Sequence, residues 1–190
     1  NSRNASISPD GRFVVFESDA TNLLSSAITP TSGSSDIFIY DRKLFTMYQL
    51  SGILGSVSPT GGYTVVTEAD DDSAVPSITG GGKSKTKSYM IAFQSRATDL
   101  DAVPGGDSNN DRDVFVVEFA AVDAKDVNSA YEIKSVNRIS APRDANGLAA
   151  SEAARRNDGT ASSSRDPVIA GTNLAYTVAF RSTADNLLAV

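Results

Sequence analysis

A phrase that returns along the chain constrains the fold more than any other feature. It first reads Ser6-Ile-Ser-Pro-Asp-Gly-Arg-Phe-Val-Val-Phe-Glu-Ser-Asp-Ala-Thr-Asn-Leu-Leu24. It returns as Ser88-Tyr-Met-Ile-Ala-Phe-Gln-Ser-Arg-Ala-Thr-Asp-Leu100 and as Tyr176-Thr-Val-Ala-Phe-Arg-Ser-Thr-Ala-Asp-Asn-Leu-Leu188. Phe16 and Phe93 are separated by 93 − 16 = 77 positions, Phe93 and Phe180 by 180 − 93 = 87. A second element, Asp36-Ile-Phe-Ile-Tyr40 and Asp113-Val-Phe-Val-Val117, keeps the first offset, 113 − 36 = 77. Two unrelated segments sharing one offset mark a repeat protein, in which each unit needs its neighbours to bury its faces.

The recurring runs read as strands. Phe13-Val-Val-Phe16, Met90-Ile-Ala-Phe93, Ile37-Phe-Ile-Tyr40 and Val114-Phe-Val-Val117 are short, apolar and rich in branched or aromatic residues. Gly, Pro, Asp, Asn or Ser bounds each of them, and continuous apolar runs suit strands covered on both faces. Pro9-Asp10-Gly11 is a turn, with Pro presetting one dihedral and Gly accepting a positive φ. Around these runs a four-strand unit emerges. Its first strand carries Pro76-Ser-Ile78 or Pro167-Val-Ile169, with Ala5-Ser-Ile-Ser8 as the counterpart. Its second holds the recurrent Phe, its third follows the recurrent Asp, and its fourth is Met47–Leu50 or Ile133–Ile139. Helical periodicity is weak, and the best helix candidate is 147–156.

The expected fold is therefore all-β, built of β-propeller blades that are four-stranded antiparallel meanders. Blade one covers about 5–50 with an inserted hairpin at 51–73, blade two 74–140, a linker 141–164, and the start of blade three 165–190. That is about two and a half blades, whereas closed propellers use about 4–8. The propeller is then incomplete, as a piece of a longer chain, or is completed by other chains through exposed strand edges. The chain opens on Asn1 with no charged-then-apolar leader after it, which fits a removed leader or a fragment.

Pro-Asp-Gly-Arg-Phe-Val-Val-Phe, Ala-Thr-Asn-Leu and Ser-Asp-Ile-Phe-Ile-Tyr-Asp together resemble the WD40-like PD40 repeat of TolB-type propellers. The resemblance touches two nearly complete copies and half of a third. It departs at Thr60, which replaces the repeat Asp in the echo at 57–69, and in the later copies, which lack the Pro-Asp-Gly turn. The resemblance implies a blade, an extracytoplasmic location (periplasmic, secreted or cell-surface) and a binding role.

Composition restricts the chemistry. The chain has no Cys and no His, so within it disulfides, thiol catalysis, imidazole acid–base work and His or Cys metal sites cannot be assembled. Net charge is −6, with eighteen Asp against five Glu, which places the acids in turns and loops. No basic block is present for nucleic acid, and no apolar run approaches the ~20 residues a membrane-spanning helix needs.

One loop could hold a cation. Asp107, Asn109, Asp111 and Asp113 place side-chain oxygens at alternate positions, and Ca²⁺ seeks about six to eight oxygen ligands. The run lacks the sixth-position Gly and the distal Glu of an EF-hand, so it is a different kind of loop. The plainer role for these residues is capping of their own backbone amides. Asp36 and Asp113, at matching positions before a strand, read as structural. Asp70-Asp-Asp72 reads as a solvated run, and Thr79-Gly-Gly-Gly-Lys-Ser-Lys-Thr-Lys87 as a flexible hairpin loop. Glu17 and Glu68, each after an apolar run, are the pair a glycosidase would draw on, and the plainer reading places them at exposed strand ends.

Two functions follow. The first is a non-catalytic module that binds a protein or an extracellular polymer, or assembles with itself through blade edges. The second is the propeller portion of a secreted carbohydrate-active hydrolase or lyase that uses carboxylates.

Overall fold

Four antiparallel sheets make up the described part of the chain, which in this computed structural model is residues 1–24, 33–81, 87–100, 111–141, 162–185 and 187. Among those residues there is no helix, so none is long and apolar enough to cross a membrane. The helix candidate at 147–156 lies outside the described residues.

The first sheet is β1 (Ser2–Ile7), β2 (Phe13–Ser18), β3 (Asp36–Asp41) and β4 (Thr46–Gln49), paired in that order. A small hairpin follows, β5 (Ile53–Leu54) and β6 (Val65–Thr67). The second sheet repeats the meander with β7 (Ser73–Gly80), β8 (Ser88–Ser95), β9 (Asp113–Ala121) and β10 (Tyr131–Arg138). The third has two strands, β11 (Ser164–Gly171) and β12 (Tyr176–Ser182). The described chain thus holds two four-stranded antiparallel meanders, a two-stranded hairpin between them in sequence and a final two-stranded sheet. The hairpin is tied to β10 by reciprocal backbone bonds between Tyr63 and Ile133, 2.7 and 3.0 Å.

The sheets stack face to face. Phe13, Val15, Ile37 and Ile39 from the first sheet form one core with Ile91, Phe93, Phe115, Val117 and Phe119 from the second. The opposite face of the second sheet, Met90, Ala92 and Val116, packs on Ile169 and Val178 of the third. This explains the uninterrupted apolar runs: every residue of β8 is buried, because both of its faces meet another sheet. Burying one Phe or Ile fully contributes about 1.5–3 kcal/mol, so the stacking seams dominate stability.

Every first strand breaks register at the same place. The pairing slips between Arg3 and Ser6, between Ala74 and Ser77, and between Arg165 and Val168. The first of the two residues inside each slip, Asn4, Val75 or Asp166, has a left-handed φ of 53°, 53° or 55°. Such a bulge turns one amide out of the ladder, and that amide then needs another acceptor.

Candidate functional site

The acceptor comes from the neighbouring sheet. Glu17, directly after Phe16, accepts the Val75 amide at 2.8 Å, along with the Asn4 side-chain amide at 2.8 Å and an ion pair from Arg3. At the next seam Gln94, directly after Phe93, accepts the Asp166 amide at 2.8 Å. A second contact also repeats. The Ser6 hydroxyl accepts from the Ile78 amide at 3.4 Å, and the Ser77 hydroxyl from the Ile169 amide at 3.2 Å. Backbone bonds complete each seam, Ser73 to Ser35 at 2.7 Å and Ser164 to Arg112 at 2.6 Å. One polar junction has thus been built twice. The sequence carried its signal as the residue after each recurrent Phe, but only stacking reveals what that residue meets.

The recurrent aspartates hold the strands that follow them. Asp36 accepts the Ser51 hydroxyl at 2.8 Å, and that hydroxyl accepts the Ile37 amide at 2.8 Å. Asp113 accepts the Ser140 hydroxyl at 2.5 Å, and that hydroxyl accepts the Val114 amide at 2.9 Å. The structural task is therefore carried out through a serine rather than by direct capping. The two clasps differ in charge. Asp113 pairs with Arg138 at 3.3 Å, whereas the corresponding residue beside Asp36 is Gln49, which donates to the Ser51 carbonyl. Burial, and then the adjacent Glu68 carboxyl, push Asp36 up to about 7.

Of the four loop oxygens expected to face a cation, Asp107 and Asn109 lie outside the described residues. Asp111 accepts the Arg112 amide at 2.7 Å, and Asp113 is buried in its clasp. Glu17 belongs to the junction and Glu68 to the Asp36 seam, so each has a structural setting. The 70–72 run is more engaged than a solvated loop. Asp70 accepts the Thr98 amide and hydroxyl at 2.7 and 2.6 Å, and Asp72 accepts the Ser35 amide at 2.7 Å. Residues 82–86 of the Gly-rich loop lie outside the described residues.

A further cluster was not anticipated from the sequence. Arg12 forms a two-point pair with Asp41 (3.1 and 2.6 Å) and donates to the Tyr131 hydroxyl at 3.0 Å. Its guanidinium lies 5.0 and 4.6 Å from the ring centroids of Phe13 and Tyr131. Next to it the Tyr89 hydroxyl donates to Asp10 at 2.6 Å, and the Ser8 hydroxyl donates at 2.7 Å. Burial pushes the Asp10 carboxyl up, but bonds from Tyr89, Ser8 and the Arg12 amide outweigh it and hold the group below the usual carboxylate range. Gly11, at φ +71°, closes the turn between Asp10 and Arg12, its amide donating to the Ser8 carbonyl at 2.8 Å. Beside the cluster is a cavity of about 150 Å³ whose lining includes Met47, Tyr48, Tyr63, Phe119, Tyr131 and Glu132. Glu132 is engaged by Ser58, Thr60 and Lys134, so this space offers aromatic contact rather than a carboxylate pair.

No protein-family model, curated protein or solved structure matches the chain.

The repeat itself then becomes the reference for each sheet. Ile78 and Ile169 are each 5% exposed, covered by the preceding sheet, while the equivalent Ile7 is 55% exposed. The first sheet's outward face also carries Val14, Phe16, Tyr40 and Met47 around an open depression of about 380 Å³. On the far face of the third sheet Val168 is 61% exposed, and Arg181 pairs with Asp166 at 3.0 Å.

Proposed function

We propose that this chain is a non-catalytic, extracytoplasmic β-propeller-type module that binds a protein or an extracellular polymer. The observation that supports this reading is the duplicated junction. Four-stranded meanders follow one another, with first strand against first strand through Ser6–Ile78 and Ser77–Ile169. Repetition of that step is how blades are arranged about an axis. The resemblance to the PD40 repeat supports both the propeller and the extracytoplasmic location. The Glu17 and Glu68 carboxylates a hydrolase would draw on are committed to folding contacts: Glu17 to Val75 and Asn4, and Glu68 to the buried Asp36 seam.

The test is co-sedimentation of the protein with insoluble extracellular polysaccharides, with released reducing ends measured in the same tubes. Retention without release supports a binding module; release of sugar overturns it. Calcium belongs to the same proposal, with Asp107, Asn109 and Asp111 supplying oxygens, while Asp113 stays in its clasp with Ser140 and Arg138. Calorimetry of wild type and Asp111→Ala, each with and without chelator, decides it, and heat that is insensitive to both chelator and substitution removes calcium from the account.

A further inference from the structure

The two seams inside the molecule define what a sheet must present in order to dock here. The incoming sheet contributes two amides, on its bulge residue and on the Ile three positions later; these are Val75 and Ile78 at one seam, Asp166 and Ile169 at the other. The receiving sheet contributes two acceptors, a Glu or Gln side chain and a Ser hydroxyl. The first sheet has the incoming half of this arrangement. Asn4 has the same left-handed φ of 53°, Ile7 takes the place of Ile78, and no described sheet lies on that side to supply acceptors. The apolar part matches too. Phe16 and Phe38 stack at 6.0 Å and 26°, as Phe93 and Phe115 do at 5.9 Å and 22°. The latter pair is fully covered by the first sheet; of the former, Phe38 is buried while Phe16 is only partly so.

We propose that the outward face of the first sheet docks one more sheet of this repeat, carrying a Glu or Gln after its second-strand Phe and a Ser in its first strand. A second copy of this chain does not provide that sheet. On the third sheet, the position of Ser6 and Ser77 is Val168, and the position of Glu17 and Gln94 is Arg181. Val has no acceptor, and a guanidinium only donates, so two amides would meet an apolar group and a cation. Two first-sheet faces brought together would oppose donor to donor. The inference depends on the junction geometry and not on what the module binds.

The test restores the acceptors. Val168→Ser with Arg181→Gln turns the third sheet's far face into a receiving half, and sedimentation velocity then reads association between copies. The expected result is head-to-tail association at least about tenfold tighter than wild type, since each recovered hydrogen bond contributes severalfold. Adding Ile7→Asp on the opposite face should abolish it. Arg181→Gln alone, a change at an exposed side chain, should give a smaller gain, which guards against misfolding of the double variant. Unchanged sedimentation in both variants, with circular dichroism matching wild type, overturns the proposal. So does wild-type association that Ile7→Asp removes, because a second copy would then be the natural occupant.

Discussion

Asp36 and Glu68 sit within hydrogen-bonding reach of one another, 3% and 6% exposed, where the first sheet meets the end of the inserted hairpin. The sister aspartate, Asp113, has Arg138 in the equivalent seam. Two buried carboxyls cannot both ionise cheaply, and Asp36 keeps its proton up to about pH 7.

This relationship makes stability depend on pH. The folded-state pKa of Asp36 is raised to about 7 from 3.8, first by burial and then by Glu68. A carboxyl held protonated in the fold contributes its full stability below the unfolded pKa. That contribution declines as pH rises and is gone above the folded value. Urea unfolding should therefore show stability falling between about pH 4 and pH 7, by at most about 4 kcal/mol. Glu68→Gln keeps a hydrogen-bonding partner and removes the like charge, so the decline should flatten. A variant with the wild-type slope would show that burial alone, and not Glu68, raises Asp36.

Gln49→Arg places a cation where the second sheet has Arg138. We expect it to bring the Asp36 carboxyl back toward its ordinary range, read as the midpoint of the carboxyl carbon shift in NMR. An unmoved midpoint would mean that Gln49 does not face this seam as Arg138 faces its own.

Glu17 is buried and accepts the Val75 amide across the seam. Glu17→Ala leaves that amide without its acceptor and should cost about 2–3 kcal/mol in chemical denaturation. Glu17→Gln keeps an acceptor and loses only the half-exposed Arg3 charge, so it should cost less than about 1 kcal/mol. Equal losses would show that charge, not acceptance of the amide, is what matters.

Arg12 compensates Asp41, which is fully buried. Arg12→Ala should destabilise by about 3–5 kcal/mol, because an uncompensated charge remains inside. Arg12→Lys keeps the charge but loses the two-point geometry and the stacking on Phe13 and Tyr131, and should fall between. A neutral Arg12→Ala would mean that Asp41 is satisfied by the Lys43 and Leu44 amides alone.

Val75 is a β-branched residue at φ 53°, a conformation that costs L-residues roughly 1–2 kcal/mol. Val75→Asn introduces the residue found at the equivalent Asn4 and should stabilise by about 0.5–1 kcal/mol, read as a rise in Tm. A fall in Tm would show that packing of the Val75 side chain outweighs the backbone strain.

Much of the architecture was decided locally. Phe13–Phe16 and Met90–Phe93 are apolar, branched and bounded by turn formers, so strand formation there needs no distant information. The shared offset of Phe16 and Asp36 then required one meander to be built twice, and Asp36 and Asp113 were legible as structural because a repeat equates positions. Stacking decided the rest. That Glu17 would meet an amide in the next sheet, that Glu68 would come to lie beside Asp36, and that Arg12 would bridge Asp41 and Tyr131 all depend on how one sheet is offset over another. Strand formation follows from side-chain periodicity over a few neighbours. A hydrogen bond across a seam requires two distant segments to arrive within about 3 Å in the right direction, which only the packed core can arrange.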